Sequence, residues 1–194
     1  GARQKTLSVK GEKELAGAGV SYCATCDGAF FRGKTTAVVG GGDVALEDAL
    51  YLSNICEKVY LIHRRDGLRG AKMLQQKIKE TGNIEFLPFY EVQEICGDGK
   101  VEKVILKQNQ TGETRNLELS GIFIAIGMDP QNEAAQGLVD LDATGYIVAG
   151  EDCRTSLAGI YAAGDIRTKQ LRQVVTAVAD GATAISSIEQ DSNC

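Results

Sequence analysis

Two cysteines separated by two residues are the side chains of this sequence best suited to chemistry. Cys23-Ala24-Thr25-Cys26 is followed directly by Asp27. Two sulfurs at this spacing can close a small disulfide ring, and a neighbouring carboxylic acid can give or take the proton that thiol–disulfide exchange requires. The pattern predicts a dithiol–disulfide centre with Cys23, Cys26 and Asp27 as catalytic residues. A helix-capping role for Asp27 is the alternative.

Zinc is the other ligand that a cysteine pair could serve. A zinc site commonly takes two such pairs, or one pair with two histidines. The chain has 6 cysteines, of which only these two are close in sequence, and His63 is its single histidine. No metal site is therefore expected. Six cysteines in 194 residues are also too few for a disulfide-stapled secreted domain.

A glycine-rich turn provides the second chemical signal. Gly40-Gly41-Gly42-Asp43-Val44-Ala45 fits the pattern G-x-G-x-x-[GA], with a predicted strand before it and a predicted helix after it. Glycines permit a tight turn and a close approach of the backbone to a pyrophosphate, which the N–H groups at the helix start then face. The residues from Gly40 to Val44 are predicted to bind a dinucleotide, with a plain tight turn as the alternative.

Three arginines indicate which dinucleotide binds. NAD-binding units usually carry an acidic residue at the end of the second strand, but here that strand ends in His63-Arg64-Arg65, with Arg69 further on. A guanidinium pairs with a 2′-phosphate through two parallel hydrogen bonds, whereas a carboxylate would repel it. NADPH is therefore favoured over NADH. We interpret His63 as part of the phosphate pocket or as a core residue rather than a general base.

The elements that position these groups alternate between strands and helices, which indicates the α/β class. Apolar and β-branched runs predict strands at 35–39, 58–63, 90–95, 101–109, 114–119 and 121–126, with short strands at 146–148 and 160–163. Helical spacing predicts helices at 43–54, 71–80 and 171–189, and residues 129–136 are predicted as a linker. The first two strands and their helix make a βαβ unit with parallel strands, and the strands from 90 to 119 make a meander.

A strand that ends in glycine and aspartate points to a second nucleotide site. The sequence Tyr161-Ala162-Ala163-Gly164-Asp165 is apolar up to the glycine. Backbone can approach a ligand at Gly164, and the carboxylate of Asp165 can accept a hydrogen bond from a polyol hydroxyl. By itself the pattern equally fits a buried strand followed by a turn.

Composition excludes several other classes of protein. Lys and Arg total 21 against 26 Asp and Glu, for a net charge of −5, which argues against a binder of nucleic acid or of anionic membranes. No apolar run approaches the roughly 20 residues that a membrane span needs. The N-terminus lacks the apolar core of a secretion signal. A cytoplasmic protein is expected.

The motifs together resemble those of the low-molecular-weight bacterial thioredoxin reductases, over essentially the whole chain. They occur in the order Cys-Ala-Thr-Cys-Asp-Gly, Gly-Gly-Gly-Asp, Tyr-Leu-Ser-Asn, His-Arg-Arg-Asp-Gly-Leu-Arg, Ala-Ile-Gly and Ala-Ala-Gly-Asp. The resemblance implies a Rossmann-like three-layer NADPH-binding domain, a parallel sheet plus a β-meander, over residues 1–127. It implies the C-terminal lobe of an FAD-binding domain over residues 128–194. Ile126 and Gly127 are then expected to contact NADPH, and FAD to contact Gly164, Asp165, Arg172, Gln173 and Val174.

The activity that this resemblance implies is reduction of thioredoxin or of a thioredoxin-like dithiol protein. Hydride would pass from NADPH to FAD, and electrons on to the Cys23–Cys26 disulfide and then to the partner. Two alternatives stay open: an NADPH-binding dithiol module without flavin or turnover of its own, and a related oxidoreductase with another disulfide partner. Intact members of the family are homodimers and carry an additional N-terminal segment for FAD, so the sequence looks like a fragment that lacks it.

Overall fold

The computed structural model describes residues 1–192, which form two compact units. One unit is Lys5–Gly127, and the other joins Gly1–Gln4 to the described residues from Met128 onward. The sequence predicts a single boundary, after residue 127. The structure places the first four residues with the later unit because Ala2–Gln4 pairs antiparallel with Met128–Pro130. The linker predicted at 129–136 is therefore wrong at its start, which is a strand.

The elements of the described residues are named here in chain order. The strands are β1 (Ala2–Gln4), β2 (Val20–Ser21), β3 (Thr35–Val39), β4 (Lys58–His63), β5 (Ile84–Pro88), β6 (Tyr90–Cys96), β7 (Lys103–Gln108), β8 (Thr114–Glu118), β9 (Gly121–Ile124) and β10 (Met128–Pro130). The α-helices are α1 (Ala24–Asp27), α2 (Asp43–Ser53), α3 (Lys72–Glu80) and α4 (Val174–Ser192), and a 3-10 helix, Gly28–Phe31, follows α1.

A five-stranded sheet in the order β2-β9-β3-β4-β5 forms the centre of the unit Lys5–Gly127. Every neighbouring pair in it is parallel, and Val38 in β3 lies between Leu61 in β4 and Phe123 in β9. Strands buried on both faces are continuously apolar, which is why β3 and β4 have the bounds that the sequence predicts. The strand predicted at 121–126 ends two residues earlier.

The central sheet is covered on both faces, so this unit has three layers. On one face, α2 buries an apolar stripe against Val38, Leu61 and Phe123; the stripe comprises Ala45, Leu46, Ala49 and Leu52. On the other face lie the alternate side chains of the same strands, such as Ala37 and Val39, which share a core with the meander β6-β7-β8. The predicted three-layer α/β fold is confirmed, including the antiparallel meander.

Two strands of the sheet were not predicted from the sequence. β2 has only two residues, too few for a periodic pattern, and pairs with Ile122 and Phe123. β5 lies at the sheet edge beside β4, and most of its residues are only half-buried. Its sequence, Ile-Glu-Phe-Leu-Pro, therefore lacks the apolar run of an inner strand.

The unit that begins at Met128 has a small core and less regular structure than predicted. Val139, Ile147, Ala149 and Ala162 form its buried cluster. The short strands predicted at 146–148 and 160–163 are wrong, because the structure has only isolated bridges there. A strand needs a neighbour along its length, and single residues pair here. α4 begins three residues later than predicted and ends at Ser192. Among residues 1–192, no helix has both the length and the hydropathy to cross a membrane.

Candidate nucleotide and redox sites

The carboxyl ends of adjacent parallel strands bring the predicted residues of the first unit to one edge. Cys23 follows β2, Ile126 follows β9, Gly40 follows β3, and Arg64 follows β4. These strands are neighbours in that order. Ligands of open α/β sheets bind beyond the carboxyl ends of the strands, so the fold places the disulfide and the glycine turn at the edge where binding is expected.

A cavity of about 880 Å³ opens at this edge, within the unit Lys5–Gly127. Its volume is that of a typical cofactor site. The structure brings together around it all the residues predicted for NADPH except Arg65, namely Gly40, Gly41, Gly42, Asp43, Val44, His63, Arg64, Arg69, Ile126 and Gly127. Residues 5–7 and 90–93 also line the cavity, although no sequence motif marks either segment, and Val9, Val39, Ile62 and Ala125 complete the lining.

Each of the three glycines of the turn has a different local environment. Gly40 has φ +156°, and a Cβ there would lie 2.4 Å from the carbonyl oxygen of Ala125. A Cβ on Gly41 would lie 2.5 Å from the imidazole ring of His63. A Cβ on Gly42 would meet nothing within 4 Å, and Gly42 is the N-cap of α2 without a side-chain cap. Gly42 therefore leaves space for a ligand beside the start of α2, where no side chain caps the helix.

Arg69 is fixed to the glycine turn by backbone hydrogen bonds. The carbonyl oxygen of Gly41 accepts from the N–H groups of Arg69 (2.6 Å) and Gly70 (3.2 Å). Asp43 Oδ1 accepts from the N–H of Ala71 at 2.7 Å. The side chain of Asp43 thus holds the segment 69–71 beside the turn, a role that the glycine motif does not predict.

His63 is buried beneath the turn and is surrounded by positive charge. Burial, followed by the charges of Arg69, Arg64 and Arg65, lowers the pKa of His63 below its ordinary value of 6.5. The imidazole is therefore neutral at pH 7, and its buried Nε2 has no hydrogen-bond partner among the described residues. The guanidinium charges fit an anionic ligand in the cavity, and the unpartnered ring nitrogen leaves one further hydrogen bond to be made there.

Cys23 and Cys26 form a disulfide at the start of α1. Cys23 is half-buried and is the N-cap of α1, whereas Cys26 is exposed. The backbone N–H of Cys26 donates to Cys23 Sγ at 3.2 Å. An N–H directed at a sulfur stabilises its thiolate, so the loop favours negative charge on Cys23 once the bond is reduced.

The segment from Cys23 to Asp27, which contains both cysteines, is called the redox loop. Asp27 ends this loop, and its carboxylate contacts Ser21, a serine that no sequence motif predicts. Ser21 Oγ donates to Asp27 Oδ2 at 2.6 Å and accepts from the N–H of Cys23 at 3.1 Å. Asp27 precedes the 3-10 helix Gly28–Phe31 but makes no side-chain cap to it. The alternative capping role of Asp27 is therefore not what its side chain does. No motif signals Ser21, since serine is common before a turn.

In the unit that begins at Met128, the loop at Gly164 and Asp165 is held by a buried carboxylate. Gly164 has φ +82° and its N–H donates to Asp180 Oδ2 at 2.8 Å. Arg167, which is 2% exposed, and Lys169 also bind Asp180. The Arg167 hydrogen bond chiefly holds the pKa of Asp180 far below its usual range, helped by Lys169 and Gly164 and opposed by burial. These three charged residues were not predicted.

The remaining residues predicted for FAD lie near this loop or at the start of α4. The Asp165 atom Oδ1 is buried and has no hydrogen-bond partner among the described residues, which fits a hydroxyl-bearing ligand. Arg172 lies over the ring of Tyr146 at 4.0 Å and donates from Nε to the carbonyl oxygen of Asp165. The N–H of Gln173 donates to Thr176 Oγ1. Val174, the first residue of α4, is 82% exposed.

The sheet is parallel and carries a glycine turn, a cluster of arginines suited to binding a phosphate, and a disulfide at the same edge. Together these features define a class of pyridine nucleotide-linked redox proteins. The family model described as pyridine nucleotide-disulphide oxidoreductase matches residues 1–181. The chain belongs to this family.

Its relatives give the more particular similarity, which is to thioredoxin reductases. The chain is 45% identical over 196 residues to the thioredoxin reductase of Peptoclostridium litorale, with 98% of this chain and 62% of that protein covered. The solved thioredoxin reductase of Streptococcus pyogenes matches with a TM-score of 0.92 at 42% identity, over 100% of this chain and 63% of that one. The solved thioredoxin reductase of Giardia duodenalis matches with a TM-score of 0.94 at 40% identity, over 100% of this chain and 64% of that one. The predicted resemblance is confirmed, and the chain spans less than two thirds of the length of these relatives.

Proposed function

We propose that this chain carries the NADPH site, the redox disulfide and FAD-contacting residues of an NADPH-dependent flavoprotein disulfide reductase. The substrate would be thioredoxin or a thioredoxin-like dithiol protein. The observation that carries the proposal is the placement of the Cys23–Cys26 disulfide and the glycine-turn cavity at one edge of one sheet. The family and the thioredoxin reductases among the relatives support it. The proposal assigns NADPH to the unit Lys5–Gly127 and FAD to the unit that begins at Met128.

The charges around the cavity support the NADPH site. The open start of α2 at Gly42 would receive the pyrophosphate. Arg64 and Arg69 line the cavity and would pair with the 2′-phosphate. Arg65 does not line it, and its contribution would come through its charge alone. Ile126 and Gly127 would contact the nucleotide at the end of β9.

The FAD site is supported by an acceptor that lacks a donor. The buried Asp165 Oδ1 would accept from a hydroxyl of the flavin side chain, where Gly164 leaves room for backbone contact. Arg172, Gln173 and Val174 would lie along the isoalloxazine ring of the flavin. Bound flavin supplies the means of converting a hydride from NADPH into a two-electron reduction of a disulfide.

The chain's own residues perform the exchange with the partner. The reduced pair provides a thiolate that attacks one sulfur of the partner disulfide, and the partner's other sulfur leaves as a thiol. The second cysteine then attacks the mixed disulfide, which restores the Cys23–Cys26 bond and leaves the partner with two thiols. Asp27 would give or take the proton as each sulfur leaves or attacks.

The test is NADPH-dependent reduction of thioredoxin by the purified chain in the presence of added FAD. The expected result is NADPH oxidation that stops when Cys26 is replaced by Ser, although that variant still binds NADPH. Binding of NADPH without any oxidation in the wild-type chain would instead support a nucleotide-binding dithiol module without turnover of its own.

A further inference from the structure

Ser21 makes hydrogen bonds to two residues of the redox loop, Cys23 and Asp27. It is buried and belongs to β2, where it pairs with Phe123 of β9. Its Oγ accepts from the N–H of Cys23 at 3.1 Å and donates to Asp27 Oδ2 at 2.6 Å. The N–H of Asp27 in turn donates to the carbonyl oxygen of Cys23 at 3.1 Å. These bonds form a closed circuit that joins the first cysteine to the acid.

The circuit determines where the carboxyl group can go. A serine hydroxyl has one proton to donate, and Ser21 Oγ lies nearer to Asp27 Oδ2 (2.6 Å) than to its other acceptor, the carbonyl oxygen of Cys23 (3.4 Å). The sheet therefore holds one carboxyl oxygen of Asp27 in place through Ser21. A proton carried by this carboxyl group then belongs on Oδ1, the oxygen that Ser21 does not bond.

We propose that Ser21 is a positioning residue for disulfide exchange, which acts by holding the carboxyl group of Asp27 so that it can protonate the sulfur that leaves. The inference rests on the dithiol chemistry of the proposed function. It does not depend on NADPH or flavin, because the step takes place between the disulfide and any thiol reductant.

The step can be followed with dithiothreitol as the reductant. One of its thiolates attacks a sulfur of the Cys23–Cys26 bond, that bond breaks, and the leaving sulfur takes the proton of Asp27. The second thiol of dithiothreitol then closes its own ring and releases the other cysteine. Two electrons pass from dithiothreitol to the cysteine pair, and dithiothreitol leaves as a cyclic disulfide.

The experiment measures the rate of this reduction against pH in the full chain, divided by the thiolate fraction of dithiothreitol. We expect the wild-type rate constant to fall as pH rises and the acid loses its proton, and Asp27→Asn to remove this fall. Ser21→Ala should lower the low-pH plateau about tenfold, since general acids contribute more than this when well placed. It should also move the fall to higher pH, because the carboxylate loses the hydrogen bond that Ser21 donates.

Matched variants separate positioning from packing. Ser21→Thr keeps the hydroxyl. Ser21→Val has the shape of threonine but no hydroxyl, so the Val variant, unlike the Thr variant, should reproduce the effect of Ser21→Ala. This pair also serves if Ser21→Ala does not fold. Ser53→Ala is the control, because the Ser53 hydroxyl bonds the carbonyl oxygen of Leu50 within α2; its profile should match the wild type. In an Asp27→Asn background, Ser21→Ala should slow the reaction no further.

Three results would overturn the inference. The first is a Ser21→Ala profile that superimposes on the wild type. The second is a lower plateau with an unmoved fall, equal for the Thr and Val variants, which would make Ser21 structural. The third is an equal slowing by Ser21→Ala with and without Asp27. Failure of the wild-type chain to use NADPH would overturn the proposed function and leave these profiles unaffected.

Discussion

The backbone N–H of Arg69 donates a hydrogen bond to the carbonyl oxygen of Gly41 over 2.6 Å. This bond joins the loop after β4 to the turn after β3. The backbone of the residue proposed to recognise a 2′-phosphate and the turn proposed to hold the pyrophosphate are thereby fixed to each other.

Replacing Arg64 and Arg69 together by Ala should weaken NADPH binding about 10- to 100-fold, because charge-assisted hydrogen bonds to the 2′-phosphate are lost. NADH, which lacks that phosphate, should bind with nearly unchanged affinity. Titration calorimetry with both nucleotides measures the difference. Arg65→Ala is the matched control, since Arg65 does not line the cavity, and should have a smaller effect. Equal losses for NADPH and NADH would contradict the assignment.

Adjacent glycines of the turn should respond differently to the same substitution. Gly41→Ala places a methyl group against the His63 ring and should lower the free energy of unfolding by about 1–3 kcal/mol, as overpacking does. Gly42→Ala meets open space, so its stability should be unchanged while NADPH affinity falls. Denaturant unfolding and NADPH titration of both variants provide the check. A destabilised Gly42→Ala chain with normal NADPH affinity would be the contrary result.

The buried carboxylate of Asp180 should be needed for the stability of its unit. Asp180→Asn leaves the buried Arg167 with only the longer, 3.6 Å pair to the exposed Glu151, and losing the partner of a buried charge costs about 3–5 kcal/mol in comparable pairs. Asp191→Asn is the control, because Asp191 binds Arg154 at the exposed surface and such pairs contribute little. Urea unfolding monitored by circular dichroism compares the two. Similar small effects would show that the Asp180 cluster does not support the fold.

The same carboxylate predicts a dependence of stability on pH. The pKa of Asp180 is depressed in the folded chain relative to its ordinary 3.8, so the folded state favours the ionised form. Its stabilisation is complete well above pH 3.8 and is lost as pH falls from near 3.8 toward the lower folded value. Unfolding of the wild type should become easier over that interval, and the Asp180→Asn variant should lack this component. Parallel curves for both proteins would disprove it.

Phe30 should serve recognition of a protein partner. It is 74% exposed and lies in the 3-10 helix that follows the redox loop. Aromatic side chains often dominate protein–protein binding, so under the proposed function the loss of this ring should slow exchange with reduced thioredoxin about tenfold. Exchange with dithiothreitol, a partner too small to reach the ring, should be unchanged in Phe30→Ala. Equal slowing with both reductants would point to a disturbed loop instead.

Local sequence patterns predict the parts of this molecule that depend on local interactions. β3, the glycine turn and β4 were predicted with their bounds, because their apolar runs and glycine spacing reflect burial and a tight turn directly. Ser21 and Asp180 were missed because each acts on groups distant in sequence or on backbone atoms, and no spacing records such contacts. The strands predicted at 146–148 and 160–163 failed for a related reason: an apolar run forms a strand only where another strand lies beside it.

The measurement to make first is the visible spectrum of the purified chain after FAD is added and unbound flavin removed, read together with a thiol titration. We expect bound flavin whose absorbance NADPH bleaches, with a gain of two free thiols when NADPH is added. The Cys23→Ser and Cys26→Ser variants, each with one cysteine already unpaired, should show no such gain. A chain that binds NADPH but stays colourless, with its disulfide still oxidised when both nucleotides are present, would contradict the proposed function.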